Sequence, residues 1–340
     1  MTALIVHAAG PGVTIQDEGR HGYLRYGVTA AGPMDPPALA TANRALGNSP
    51  GAAAIEVSLG GLELSAVDGP VAVAIAGGAF KVGLDGRDLP AAVAVPLEPD
   101  ARLTIRPGAA GAWCYVAVAG RIDLAPALGS LATHTRSGIG GLQGRALTAG
   151  DIIPIATTRA VNAPAAAIEA PWLDRPGDVI RVVLGPQDDY FAPDQIAAFL
   201  VGLWTLSGRS DRMAYQLDGP TIAHAKGFNI VSDGVTLGAI QVPGHGRPIV
   251  LMADRQSTGG YPKIAAVIGT DFGKLAQLRP GARFGFAAVS VEEAVKARRV
   301  QADFLAKRPV LRPLRRTEFP SEYLLGVNLI DGAVAEVNEL

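Results

Sequence analysis

Apolar residues in this chain come in short runs, and most runs are closed off by glycine, proline or aspartate. Runs at 62–64, 71–75, 92–95, 103–105, 115–118 and 180–184 are each a few residues long, and 42 glycines and 25 prolines punctuate the chain. A helix needs apolar positions recurring every three to four residues over a longer window, and interior glycine or proline is costly there. Strands tolerate such punctuation at their ends. The pattern predicts a mainly β protein of mostly antiparallel strands, closed into barrels or sandwiches, with a few short helices.

Three helices are legible. One starts at Asp35 as N-cap with Pro36 at the first helical position, carries Leu39, Ala42 and Leu46 on one face and stops at Gly47. A second covers 193–201. A third opens on the capping box Ser290 with Glu293, runs through Ala294, Val295, Ala302 and Leu305, and ends before Pro309.

At 340 residues the chain suits two domains better than one. The expected division is an N-terminal β domain over 1–165, a C-terminal β domain over 172–290, and a helix and tail over 291–340, with the Ala- and Pro-rich stretch 161–171 as linker. A weak internal echo supports two similar halves. Gly32, Pro33, Met34 and Asp35, then 55–60, resemble Gly185, Pro186, Gln187 and Asp188, then 213–219. The tail carries Arg308, Arg312, Arg315 and Arg316 and suggests a hairpin around Asp331 and Gly332.

Composition excludes several classes of function. Lys+Arg is 30 against Asp+Glu 31, so no global field attracts nucleic acid or an anionic membrane. The apolar run 70–76 falls far short of the roughly 20 residues of a spanning helix. Residues 1–6 lack a basic leader, so a cytoplasmic protein is expected. Cys114 is the only cysteine and reads as a small core residue; the five histidines show no metal-ligand spacing, so no metal site is expected. Gly269, Thr270, Asp271, Phe272, Gly273, Lys274 approaches a phosphate loop but is one residue short and lacks the following hydroxyl. No Gly-x-Ser-x-Gly elbow and no Met-Lys-Met biotin attachment site occur.

Against this plain background stands one polar, glycine-rich run: Asp254, Arg255, Gln256, Ser257, Thr258, Gly259, Gly260, Tyr261, Pro262, Lys263. Charges and adjacent glycines are costly to gather for packing, so the run reads as a binding site placed where a strand ends. Two strand-like stretches, 238–243 and 249–251, precede it.

Three further clusters accompany it. One spans 13–22 with Gln16, Asp17 and Arg20 and continues to Asn43; one spans 137–151 with Arg145 among glycines; one is Ser210, Asp211, Arg212, Met213. Asp17 and Arg20 also admit a plainer reading as a surface ion pair, and Asp211 and Asp254 as partners for the arginines. Arg212, Arg255, Lys263 and a nest of Gly259 and Gly260 N–H groups suit an acidic substrate, and Gln241 and Gln256 can read an amide or lactam. The candidate catalytic set is Asp254, Arg255, Lys263 and Arg212. Gln241, Gln256, Gly259, Gly260, Tyr261, Asp211, Ser232, Gln16, Asp17, Arg20 and Arg145 are candidates for binding substrate.

These clusters, in this order, resemble the carboxyltransferase subdomain family, which includes the C-type subunit of bacterial ATP-dependent 5-oxoprolinase, the KipI antagonist KipA, the so-called allophanate hydrolase subunit 2 and half of the urea carboxylase carboxyltransferase domain. The resemblance runs over about 10–288, with Ser257 where the family commonly has threonine. It implies a pair of cyclophilin-like β-barrel domains. It also implies a partner, a KipI-like small subunit equivalent to the B-type subunit of 5-oxoprolinase, with an A-type subunit joining them. ATP is the implied cofactor of the complex, at a site the sequence does not place, and no covalently bound biotin is implied. The implied activity is opening of 5-oxo-L-proline to L-glutamate. Alternatives within the resemblance are biotin-dependent carboxyl transfer to urea or a related amide, and a KipA-type regulatory binding protein.

Overall fold

The computed structural model describes residues 2–156 and 164–315. The protein is mainly β with four short α-helices among these residues. Strands β1 (Ala3–Ala9), β2 (Thr14–Gln16), β3 (Ala54–Val57), β4 (Leu62–Val67), β5 (Val71–Leu84) and β6 (Arg87–Leu89) open the first half. They are followed by β7 (Val93–Leu97), β8 (Leu103–Val118), β9 (Arg121–Ile122), β10 (Ile152–Ala156) and β11 (Ala166–Glu169). The second half holds β12 (Val179–Leu184), β13 (Trp204–Leu206), β14 (Ala214–Asp218), β15 (Asp233–Gly234), β16 (Ala239–Gln241) and β17 (Ile249–Leu251). Then come β18 (Thr258–Gly259), β19 (Lys263–Val267), β20 (Arg283–Ala288) and, after the last helix, β21 (Val310–Pro313).

The first eleven strands and β21 form one 12-stranded sheet whose central path runs β7-β5-β8-β4-β1. Its inner face is aliphatic, with Leu4, Ile15, Ile55, Leu64, Ile75 and Val116 fully buried and Cys114 among them. The second half closes into a seven-stranded barrel, β12-β19-β16-β17-β14-β13-β20. Its seam is the parallel pair β12 and β20, and its core is aromatic, with Phe199, Trp204, Phe284 and Phe286 in mutual ring contact.

The stretch expected as a linker instead contains β11, which pairs with β7 on one side and with β21 on the other. The chain enters a strand there because Ala166 and Ile168 alternate into the core. Helix α1 (Pro36–Ala45) begins where expected, with the Asp35 side chain accepting from Ala38 N. Helix α2 (Pro193–Val201) has the expected bounds, and the capping box of α4 (Val291–Ala306) is formed in full. Arg316 and the expected hairpin at Asp331 and Gly332 lie outside the described residues.

Helix α3 (Gly269–Ala276) was not legible as a helix. It is the segment that approached a phosphate loop. Its glycine serves packing: a Cβ at Gly273 would lie 2.6 Å from Asp35 Oδ1. Lys274 lies 3.5 Å from the buried Asp271 carboxylate, which Arg181 also holds. Among the described residues no helix is long and apolar enough to cross a membrane.

The halves are bound by polar contacts. Gln277 Oε1 accepts from Ala112 N and Trp113 N, and its Nε2 donates to Asp35 Oδ2 at 2.7 Å. Trp113 Nε1 donates to Tyr215 OH, while Arg279 reaches the carbonyls of Gly111 and Gly108. Met34, Ala112 and Trp113 of the first half also join the apolar core of the second.

Candidate functional site

The polar run follows β17, as expected, and its first residue completes a buried ion triad across the two halves. Arg212 donates from Nε and Nη2 to both Asp254 oxygens at 2.9 and 2.8 Å, from Nη2 to Gly32 O at 2.8 Å, and from Nη1 to Glu56 Oε1. Glu56, fully buried on β3, accepts from Met34 N and Tyr115 OH on its other oxygen. Burial pushes the Glu56 carboxyl above the usual range, with Arg212 opposing. Burial pulls the Arg212 guanidinium down, but Asp254 and Glu56 outweigh it and the net shift is upward.

Arg212 is therefore not an open anion receptor, because protein acceptors hold Nε and both terminal nitrogens. Asp254 takes the partner role that the sequence had left open. Both fix the point from which residues 255–263 extend.

The rest of the run is differently furnished. Arg255 is buried, and among the described residues only its Nε is hydrogen-bonded, to Val235 O at 3.2 Å; burial lowers its pKa. Lys263 is 3% exposed, and its Nζ makes no hydrogen bond to any described residue. The nearest acid is Asp233 Oδ2 at 3.8 Å, beyond hydrogen-bond range. Gln241 stands opposite Lys263 in the register of β16 and β19. Gln241 Nε2 and Gln256 Oε1 are likewise buried and unpartnered.

A flap covers this group. Residues 231–234 are all exposed, Val231 to 91%, and β15 pairs with β18 above Lys263. Val235 N and Ile230 N bond to Ser257 O and Gly260 O at its two ends. A Cβ at Gly259 would press on the Gln241 amide and one at Gly260 would stand 3.5 Å from Ser232 Oγ, so both glycines leave room between the flap and the run. Neither glycine has left-handed backbone, so the expected N–H nest is not formed. Tyr261 is 40% exposed at the rim.

Other predicted residues serve the scaffold. Asp17 accepts from Gly19 N, Ser130 Oγ and Leu131 N, and Arg20 is buried and donates to Ala127 O and Ala132 O. The surface ion pair considered for them is not formed; each side chain instead bonds to the 127–132 segment. Burial lowers the Arg20 pKa, its Nη1 is unpartnered, and so is Gln16 Oε1. Arg145 is locked to Asp151 at 2.7 and 2.8 Å, and Asp211 caps its own turn at Met213 N and Ala214 N.

A cleft of about 610 Å³ opens between the halves beside Arg212 and Asp254, lined also by Trp113, Asp211, Met213 and Leu278. Neither Arg255 nor Lys263 lines it. Its charged groups Arg212 and Asp254 are hydrogen-bonded to each other, whereas Lys263 Nζ under the flap has no hydrogen bond to any described residue and only a 3.8 Å contact with Asp233. Unsatisfied buried polar atoms are costly to keep, so the group under the flap is the stronger candidate for holding a ligand. Five of the ten unpartnered buried side-chain atoms among the described residues belong to sequence-predicted site residues. Glu56, Tyr115 and Asp233 were missed. Glu56 alone gave a signal, as one acid inside the apolar strand 54–57.

With this geometry in place, comparison with known proteins assigns the family. Residues 26–288 match the model of the carboxyltransferase domain, subdomain A and B, and the chain belongs to that family. It is 39% identical to the C-type subunit of the 5-oxoprolinase of Escherichia coli K12 over 295 residues, 86% of this chain and 93% of that protein. It is 31% identical to the urea amidolyase of Saccharomyces cerevisiae, covering 86% of this chain but 17% of the relative. Among solved structures, TTHA0988 superposes with TM-score 0.76 at 34% identity, over 84% of this chain and 55% of that one. The Kluyveromyces lactis urea amidolyase superposes with TM-score 0.82 at 27% identity, over 89% of this chain and 20% of that one. The chain thus spans about half of the first solved relative and a fifth of the second.

Proposed function

We propose that this chain is the C-type subunit of a cytoplasmic, ATP-dependent 5-oxoprolinase that opens 5-oxo-L-proline to L-glutamate. The observation that carries the reading is the set of buried polar atoms without hydrogen bonds to described residues in and beside the polar run of a chain that aligns with 93% of a 5-oxoprolinase C-type subunit. Lys263 Nζ and Gln241 Nε2 are donors suited to a lactam carbonyl or a carboxylate, and Gln256 Oε1 is an acceptor suited to a lactam N–H. Charge developing on the lactam oxygen is stabilised by such preorganised donors.

ATP would supply the phosphoryl group that activates the lactam. The segment 269–274, which approaches a phosphate loop in sequence, lies in helix α3. The remaining machinery comes from an A-type subunit together with a KipI-like small one. A single-chain preparation is expected to show negligible ATPase and ring-opening activity and to copurify with a co-expressed KipI-like protein. Turnover by the purified chain alone would refute this division of labour.

Likeness to urea amidolyase favours a second reading, carboxyl transfer from a carboxybiotin carried elsewhere to urea or a related amide. Adding biotin carboxylase and urea to the same assay separates the two. A KipA-type regulator would bind its partner and turn over neither substrate.

A further inference from the structure

We propose that Asp233 is a built-in stand-in for a ligand carboxylate, which Lys263 releases when a carboxylate-bearing substrate enters beneath the 230–235 flap. The proposal rests on the reading above, in which the substrate is a lactam carrying a carboxylate. Lys263 is buried and faces Asp233 Oδ2 at 3.8 Å without hydrogen-bonding it. Its acid partner is 62% exposed and sits on the two-residue strand β15, which pairs only with the equally short β18. A loose pair of this kind, one member buried and the other free to swing out, is readily exchanged.

The site keeps excess positive charge after the exchange, because Arg255 has no acidic partner among the described residues. Gln241 Nε2, across the strand pair from Lys263, offers a further donor.

A site occupied by its own side chain binds ligand more weakly by the fraction of time it is occupied. Removing the stand-in should therefore raise affinity, an effect that a purely structural Asp233 would not produce. Asp233→Asn keeps an oxygen for Gly234 N, which Oδ1 now accepts from at 2.7 Å. Titration calorimetry on the full chain, with 5-oxo-L-proline, 2-pyrrolidinone and inorganic phosphate as probes, reads the result. Asp233→Asn is expected to tighten 5-oxo-L-proline by about fivefold and leave 2-pyrrolidinone unchanged, while Lys263→Met weakens 5-oxo-L-proline at least about tenfold. Unchanged or weaker 5-oxo-L-proline binding in Asp233→Asn, tighter binding of phosphate than of 5-oxo-L-proline, or no binding of 5-oxo-L-proline by any variant overturns the proposal. Ring opening by the assembled complex decides the activity separately. An active complex whose Asp233→Asn variant binds no tighter removes the stand-in and keeps the activity. Tightening in a chain whose complex leaves 5-oxo-L-proline intact keeps the subsite and removes the activity.

Discussion

Lys263→Met is expected to lower turnover of the assembled complex by at least about a hundredfold while leaving the chain as stable as before, or slightly more so. The two halves of that expectation have one cause. Nζ is buried with no hydrogen bond to any described residue, so it stabilises little in the free protein, and an unbranched apolar side chain fills the same slot without a buried ammonium held only by a loose 3.8 Å contact. Lys263→Arg should rescue poorly, since a planar guanidinium needs a wider, fixed set of acceptors than this site offers. Steady-state turnover and thermal melts on the same preparations check both halves. Wild-type turnover in Lys263→Met would move the anion site to Arg255, and a large loss of stability would make Lys263 a scaffold residue.

Arg212→Met should behave in the opposite way, with a loss of stability of about 3–5 kcal/mol, because it strands two buried carboxylates. The loss should depend on pH in a defined direction. Glu56 has a folded-state pKa above its unfolded value, so the folded state binds the proton more tightly, and its contribution to stability falls as pH rises from the usual carboxylate range through the raised value. Arg212 opposes that rise, so its removal enlarges it. Denaturant melts should therefore show a deficit in Arg212→Met that is largest near neutral pH and shrinks on acidification towards the usual carboxylate range. A deficit that grows on acidification would contradict the assigned role of Glu56.

These two cations stood side by side as catalytic candidates in the sequence, and only the fold separates them. Arg212 meets Glu56 across 156 residues of chain, a contact that no local pattern announces. The same holds for Gln277, which reaches back to Asp35 over 242 residues. What was legible rests on short-range chemistry. Asp35 followed by Pro36 caps α1, Ser290 with Glu293 forms a capping box, and the short continuous apolar run at 71–75 makes a buried strand.

Helix α3 was hidden because Gly269 and Gly273 read as loop residues, although Gly273 is there to let the helix pass close to Asp35. In the 254–263 run, sequence alone marked a polar site at the end of a strand, and the structure places Asp254 just past β17. The roles within the run were not legible, because they depend on whether each side chain finds a partner. Asp254 finds Arg212, and Lys263 finds only a distant, exposed acid. Asp233 gave no signal at all, since an acid in an exposed loop is ordinary.

The central claim, that this chain is a working part of a 5-oxoprolinase, is tested most directly by following isotope-labelled 5-oxo-L-proline by NMR. The KipI-like and A-type subunits would be assayed with ATP, in the presence and absence of this chain. The account predicts L-glutamate, with matching ATP consumption, only when this chain is present. Full-rate ring opening without it, or a complete set of subunits that leaves 5-oxo-L-proline untouched while carboxylating urea in the presence of biotin carboxylase, would contradict it.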